Sequence, residues 1–154
     1  MIKYKDSYIV FEEIPNEISL ALNITNCANN CIGCHSPELA LNIGEELTEE
    51  ILDNLIDENY GITCVLFMGE GRDQKRLLEL ANHIREKYPD LKLGIYSGRE
   101  NVENTIYNTF DYVKIGPYMA EYGPLNKETT NQRMYYMVDG EKIDITSKFW
   151  NRKE

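Results

Sequence analysis

Residues 62–68 read Ile62-Thr63-Cys64-Val65-Leu66-Phe67-Met68, a short apolar run with Gly61 before it and Gly69 behind it. A strand with one wet face alternates apolar and polar residues. A run that does not alternate, and is this short, is the pattern of a strand buried on both faces of a parallel sheet. Its neighbours are helical. Upstream, Leu47, Ile51, Leu52, Leu55 and Ile56 repeat at helical spacing; Thr48 caps the first turn, and Glu49 and Glu50 sit where a helix N-terminus favours acids. Downstream, Leu77, Ala81, Ile84 and Tyr88 mark the apolar face of a helix from about Asp73, with Pro89 as its stop.

Further out the alternation continues. Residues 91–96 read as the next strand, and Ser97-Gly98-Arg99-Glu100 has the spacing of a capping box ahead of a short helix with Val102, Ile106 and Phe110 on one face. Residues 112–116 read as a further strand, and residues 117–132 as a long irregular loop containing Pro117, Gly123 and Pro124. Residues 133–138 and 143–145 read as a hairpin across Asp139-Gly140. At the start of the chain, residues 8–11 and 18–24 read as two strands around a turn at Pro15-Asn16. Strand and helix in alternation predict an α/β fold with a mostly parallel sheet. A closed eight-unit barrel needs far more residues, so the expected architecture is a short, open, partial (β/α) barrel in a single domain over residues 1–154.

Composition narrows the function. The 154 residues are 42% hydrophobic and 27% charged, and 16 Lys and Arg face 26 Asp and Glu, a formal net charge of −10. Such a surface opposes the phosphate backbone, so no nucleic-acid partner is expected. No apolar run has the length of a membrane helix and the first residues lack a signal-peptide pattern, so a cytoplasmic protein without a membrane partner is expected.

The second strand runs into Cys27-Ala28-Asn29-Asn30-Cys31-Ile32-Gly33-Cys34, a C-x3-C-x2-C spacing. Thiolates are soft ligands that suit iron–sulfur iron or zinc, and closely spaced loop cysteines converge on one centre at little entropic cost. Three thiolates on a [4Fe-4S] cluster leave one iron open to a chelating small molecule. The alternative is structural zinc with Cys64 or His35 as the fourth ligand. Cys64, inside an apolar strand, reads as core, and His35 as a residue beside the centre. His83, on the second helix, reads as a solvated side chain.

These cysteines resemble the signature of the radical S-adenosylmethionine superfamily. Within it, Cys34-His35-Ser36-Pro37-Glu38 and Asn131-Gln132-Arg133 resemble elements of anaerobic ribonucleotide reductase activating proteins. The resemblance implies a radical SAM type of partial barrel, with Cys27, Cys31 and Cys34 holding a [4Fe-4S] cluster and S-adenosylmethionine bound at its open iron. The implied activity is reductive cleavage of S-adenosylmethionine to a 5'-deoxyadenosyl radical, which forms a glycyl radical on the large subunit of the reductase. A flavodoxin-like protein would supply the electron, the loop of residues 117–132 would help receive the protein substrate, and no side chain would act as acid or base. Cofactor contacts are expected at Gly33, which stands where many members carry an aromatic residue, and at His35. They are also expected at Gly69-Glu70-Gly71, which matches a G-G-E type motif with one glycine fewer. There the acceptors for the methionine ammonium are backbone carbonyls, Glu70, or both, and a plain strand-to-helix turn is the competing reading. Ser97 is either a cofactor contact or a capping residue, and Lys114 either meets the cofactor carboxylate or snorkels from an edge. Two other readings stand beside this one: another radical S-adenosylmethionine enzyme, such as a different activase or a deazaguanine-forming synthase, and a non-catalytic zinc-stabilised interaction module.

Overall fold

The computed structural model describes residues 1–25 and 43–150. Its elements are β1 (Lys3–Val10), β2 (Ser19–Ile24), β3 (Glu45–Glu46), α1 (Glu49–Glu58), β4 (Cys64–Met68), α2 (Gln74–Lys87), β5 (Lys92–Tyr96), α3 (Asn104–Thr109), β6 (Tyr112–Ile115), β7 (Arg133–Val138) and β8 (Glu141–Asp144), followed by a 3-10 turn at Thr146–Phe149. All eight strands share one sheet in the order β3-β1-β2-β4-β5-β6-β7-β8.

The strand read from residues 62–68 holds the centre. Val65 and Phe67 face the helices and Cys64 and Leu66 the opposite side, and all four are fully buried. The helical layer packs on one face through Leu52, Leu77, Leu80, Ala81, Ile84 and Ile106, and Phe67 meets Phe110 edge to face at 5.8 Å between ring centroids. On the other face a smaller cluster forms where Ile14, Ile145 and Phe149 close over Leu66, Tyr112 and Met134.

Local chemistry accounts for the helix starts. The Thr48 side chain accepts a hydrogen bond from the Ile51 amide at 3.3 Å, and Asp73 accepts one from Arg76 at 3.1 Å. The β7–β8 hairpin turns on Asp139 and Gly140, both with positive φ, +50° and +79°, which matches the right-handed twist of the strands it joins.

The expected partial (β/α) barrel with a mostly parallel sheet is corrected. The sheet is mixed: β2-β4, β4-β5 and β5-β6 pair in parallel, while β1-β2, β1-β3, β6-β7 and β7-β8 pair antiparallel. The described residues form an open sheet of eight strands with three helices, not a radical SAM barrel. The physical reason lies in the connections. Only β4, β5 and β6 follow a helix that can carry the chain back to the starting edge; β1 and β2 are joined by a turn, and β7 follows the irregular residues 117–132. The capping box at Ser97 is also corrected, because α3 starts only at Asn104 and its N-cap, Glu103, makes no side-chain capping bond.

Gly94 in β5 is required for space. A Cβ there would collide with Ile14 Cδ1 and approach Leu66 Cδ1 at 3.1 Å. Gly94→Val should therefore destabilise the fold by about 1–3 kcal/mol, read as a lower urea midpoint with an unchanged m-value.

Candidate functional site

Ligands of open α/β sheets gather beyond the carboxyl ends of the parallel strands, here the ends of β2, β4, β5 and β6. The registers Asn23↔Met68 and Tyr96↔Lys114, with Phe67↔Ile95 between them, align Asn23, Met68, Tyr96 and Lys114 in one row across these strands. By strand alternation this row faces away from the helices, on the side of Leu66 and Tyr112. Asn23 donates to Asp6 at 2.6 Å and accepts from the Tyr8 hydroxyl at 3.4 Å. The Lys114 ammonium lies 5.1 Å from the Tyr96 ring centroid, and the Tyr96 hydroxyl donates to the carbonyl of Glu13.

On the helical side of the same edge, the turn from β4 to α2 rests on Ile24 at the end of β2. Gly69 and Gly71 hold φ of +131° and +68°. A Cβ on Gly69 would sit 3.4 Å from the Ile24 carbonyl oxygen, and one on Gly71 3.0 Å from Ile2 Cδ1 and 3.8 Å from the Thr25 carbonyl oxygen. Glycine suits both positions because their left-handed φ is one that side-chain-bearing residues rarely adopt. Thr25 is fully buried; its amide donates to Lys3 O at 2.9 Å and its hydroxyl to Ile43 O at 2.6 Å. Thr25 and Ile43 thus meet at one spot, and Thr25 lies beside Gly71.

Glu70 is already engaged. Its Oε2 accepts from Ser97 Oγ at 2.5 Å and from Arg99 Nε at 3.0 Å, and its Oε1 accepts from Arg99 Nη2 at 2.6 Å. Arg99 also grips Glu103 at 2.7 and 2.8 Å, and Gln74 adds a bond to Glu103 at 2.7 Å. Glu103 first, and Glu70 with it, push the Arg99 pKa up; Arg99 in turn holds the Glu103 carboxyl down at about 2. The structure therefore brings Glu70 and Ser97 together, but through Arg99, which the sequence reading missed. The available signal was an Arg four residues before a Glu, just beyond a strand end. Ser97, 1% exposed, also accepts from the Arg99 amide at 3.1 Å, a local turn rather than a helix cap.

Among the other residues singled out, Cys27, Cys31, Gly33, Cys34 and His35 lie outside the described residues. Among the described residues no three His, Cys, Asp or Glu side chains are grouped to hold a metal ion. Cys64 is buried, burial pushes its thiol pKa up, and it pairs with Ser19 at the start of β2, the end of the strand remote from residue 26. It belongs to the core. His83 is corrected from solvated to paired: its Nε2 lies 2.8 Å from Asp53 Oδ1. Burial would raise the Asp53 carboxyl, but hydrogen bonds from Lys87, His83 and Tyr88 outweigh it and hold it below the usual range. Asn131 and Gln132 fasten the end of the 117–132 segment, donating to the carbonyls of Pro117 at 3.0 Å and Gly116 at 3.2 Å. No helix among the described residues is long and apolar enough to cross a membrane.

Comparison with known proteins finds residues 37–107 similar to the FakA-like C-terminal family, which is named for a fatty acid kinase. The match takes in α1, β4, α2 and β5 and covers less than half of the chain. Neither the curated proteins nor the solved structures give a match. The family found is not a radical S-adenosylmethionine family, and the resemblance drawn from the cysteine spacing is corrected accordingly. The implied activity falls with it: the radical oxidoreductase, the iron–sulfur activase of anaerobic ribonucleotide reductase, and the two alternatives, a related radical enzyme and a zinc-stabilised module, have no support in the match.

The Arg99 network carries a pH signature. Glu103 ionises at about 2 in the fold against an ordinary 4.5, so its contribution is complete above pH 4.5 and is lost as pH falls toward 2. With its side chain 49% exposed, Glu103→Gln should cost about 0.5–1 kcal/mol at pH 7, the gap from wild type closing by about pH 2 in urea titrations. Arg99→Met, which strands the Glu70 carboxylate, should cost more, about 2–3 kcal/mol at pH 7.

Proposed function

We propose that the chain is a cofactor-binding α/β protein whose site lies at the carboxyl edge of β2, β4, β5 and β6. In this reading Cys27, Cys31 and Cys34 would supply three thiolates to a [4Fe-4S] cluster, whose open iron would bind S-adenosylmethionine. What supports it is that Thr25, the last described residue before the cysteines, is hydrogen-bonded to Ile43 at 2.6 Å and lies against Gly71 of the β4–α2 turn.

The donor chemistry fits such groups. Soft thiolates suit an iron–sulfur cluster, and three of them leave one iron available for an amino acid chelate. Gly69 and Gly71 keep side-chain bulk out of the edge, so backbone carbonyls there can accept from a ligand ammonium. Lys114 and the Tyr96 ring, 5.1 Å apart, stand side by side in the same row. Glu70, held by Ser97 and Arg99, shapes the turn instead of receiving the ammonium. Gly33 and His35, within the same segment, are placed by the sequence next to the thiolates.

The family match favours a second reading, in which residues 37–107 serve as a domain of a multi-protein kinase, like the C-terminal part of the matched family, and need no cluster. Anaerobic reconstitution separates the two. The first reading predicts close to four iron and four sulfide per chain, lost in Cys31→Ala, and a cluster EPR signal that changes when S-adenosylmethionine is added. A folded chain that takes up no iron and sulfide would favour the second reading.

A further inference from the structure

At the opposite edge of the sheet, where α1 and α2 end and β4 and β5 begin, a cleft of about 390 Å³ opens to the surface. Its inner part is apolar: Ile56 is buried and Ile62, Leu91 and Tyr88 are partly so. Tyr60 stands at the rim, 92% exposed, the most exposed large apolar side chain among the described residues. Gly61 behind it, at φ +95°, has open space where a Cβ would be, so nothing packs against that turn.

The charges around the cleft are unbalanced. Lys87 borders it, paired with Asp53 at 2.8 Å, with its ammonium 5.7 Å from the Tyr88 ring centroid and within the field of Asp57. Asp57 and Asp90, also at the rim, are exposed and have no ion pair among the described residues. α1 closes on Asp57 and Glu58 with no basic residue in its last turn. A helix C-terminus already carries partial negative charge, so acids there oppose their own helix. Such a local conflict is the kind that a functional contact repays. A cation delivered from outside would relieve it.

We infer that this cleft docks an arginine side chain of a partner protein. The aliphatic stem lies on Ile56, Ile62 and Leu91, and the guanidinium reaches Asp57, Asp90 and the carbonyls ending α1, beside the exposed Tyr60. A tyrosine beside a small apolar hollow is the composition of an interface anchor point. A second copy of this chain is a poor occupant, because two bodies of net charge −10 repel. The cleft lies on the far edge of the sheet from Gly69 and Thr25, so a partner here leaves the cofactor site open.

The test is an NMR titration of the full chain with an acetylated, amidated Leu-Arg-Leu peptide, with the citrulline peptide and free ethylguanidinium as controls. The inference predicts saturable shifts confined to residues 56–62 and 87–91. The citrulline peptide should bind at least fivefold more weakly, as should the arginine peptide to Tyr60→Ala and to the Asp57→Asn, Asp90→Asn double variant. Without any peptide, Asp57→Asn should raise the urea midpoint by relieving the end of α1. Shifts scattered over the acidic surface, or equal binding by the citrulline peptide or by the variants, would overturn the inference. Ethylguanidinium binding as tightly as the peptide would overturn the protein partner in favour of small cations.

Discussion

Water is excluded from both faces of β4, and the remaining structure is arranged to keep it out. Val65 and Phe67 require a helical layer, and Cys64 and Leu66 require a second cover that this chain builds from Ile14, Ile145 and Phe149. Each large apolar side chain buried this way contributes about 1.5–3 kcal/mol, so neither cover is dispensable. Because β4 must also satisfy its backbone on both edges, it takes β2 on one side and β5 on the other, both in parallel. Gly94 is a consequence of the same demand, since Ile14 can reach the second face only where β5 lacks a side chain.

Parallel pairing puts like ends of strands together, and the candidate site follows from that geometry. The carboxyl ends of β2, β4, β5 and β6 form one edge, and what the chain places beyond each end becomes a neighbour of the rest. The cysteine segment springs from β2, the glycine turn from β4, Ser97 and Arg99 follow β5, and Gly116 follows β6. Arg99 joins two of these turns by holding Glu70 and Glu103 together, so the β4 and β5 sides of the edge are braced by charge. The base of the cysteine segment is braced by the Thr25 hydroxyl on the Ile43 carbonyl.

The central elements were legible because each carries its own signal. The apolar run of residues 62–68, the periodic faces and caps of α1 and α2, and the Asp139-Gly140 turn all correspond to observed elements. Strand direction was not legible: an apolar or alternating stretch says that a strand is buried on one or both faces, not which way its partner runs. Hence β7, reached without a helix, pairs antiparallel where a parallel sheet was expected. β3 was invisible because two glutamates become a strand only by pairing with Lys3 and Tyr4. At the site, the positions of Gly69, Glu70 and Ser97 at the sheet edge were legible, but the occupant of the Glu70 carboxylate was not. Arg99 meets it 29 residues away, through tertiary structure alone. The same holds for His83, whose partner Asp53 lies on another helix. The resemblance carried by the spacing of three cysteines fared worst, since the family match rests on residues 37–107, beyond all three.

The proposed thiolate-held cluster would belong at the carboxyl edge of the parallel strands. Anomalous diffraction at the iron edge from crystals of the anaerobically reconstituted chain tests it most directly. The expected result is a single strong iron peak beside Gly69–Gly71 and the end of β2. A peak at any other part of the sheet, or crystals in which only a zinc edge gives signal, would contradict it.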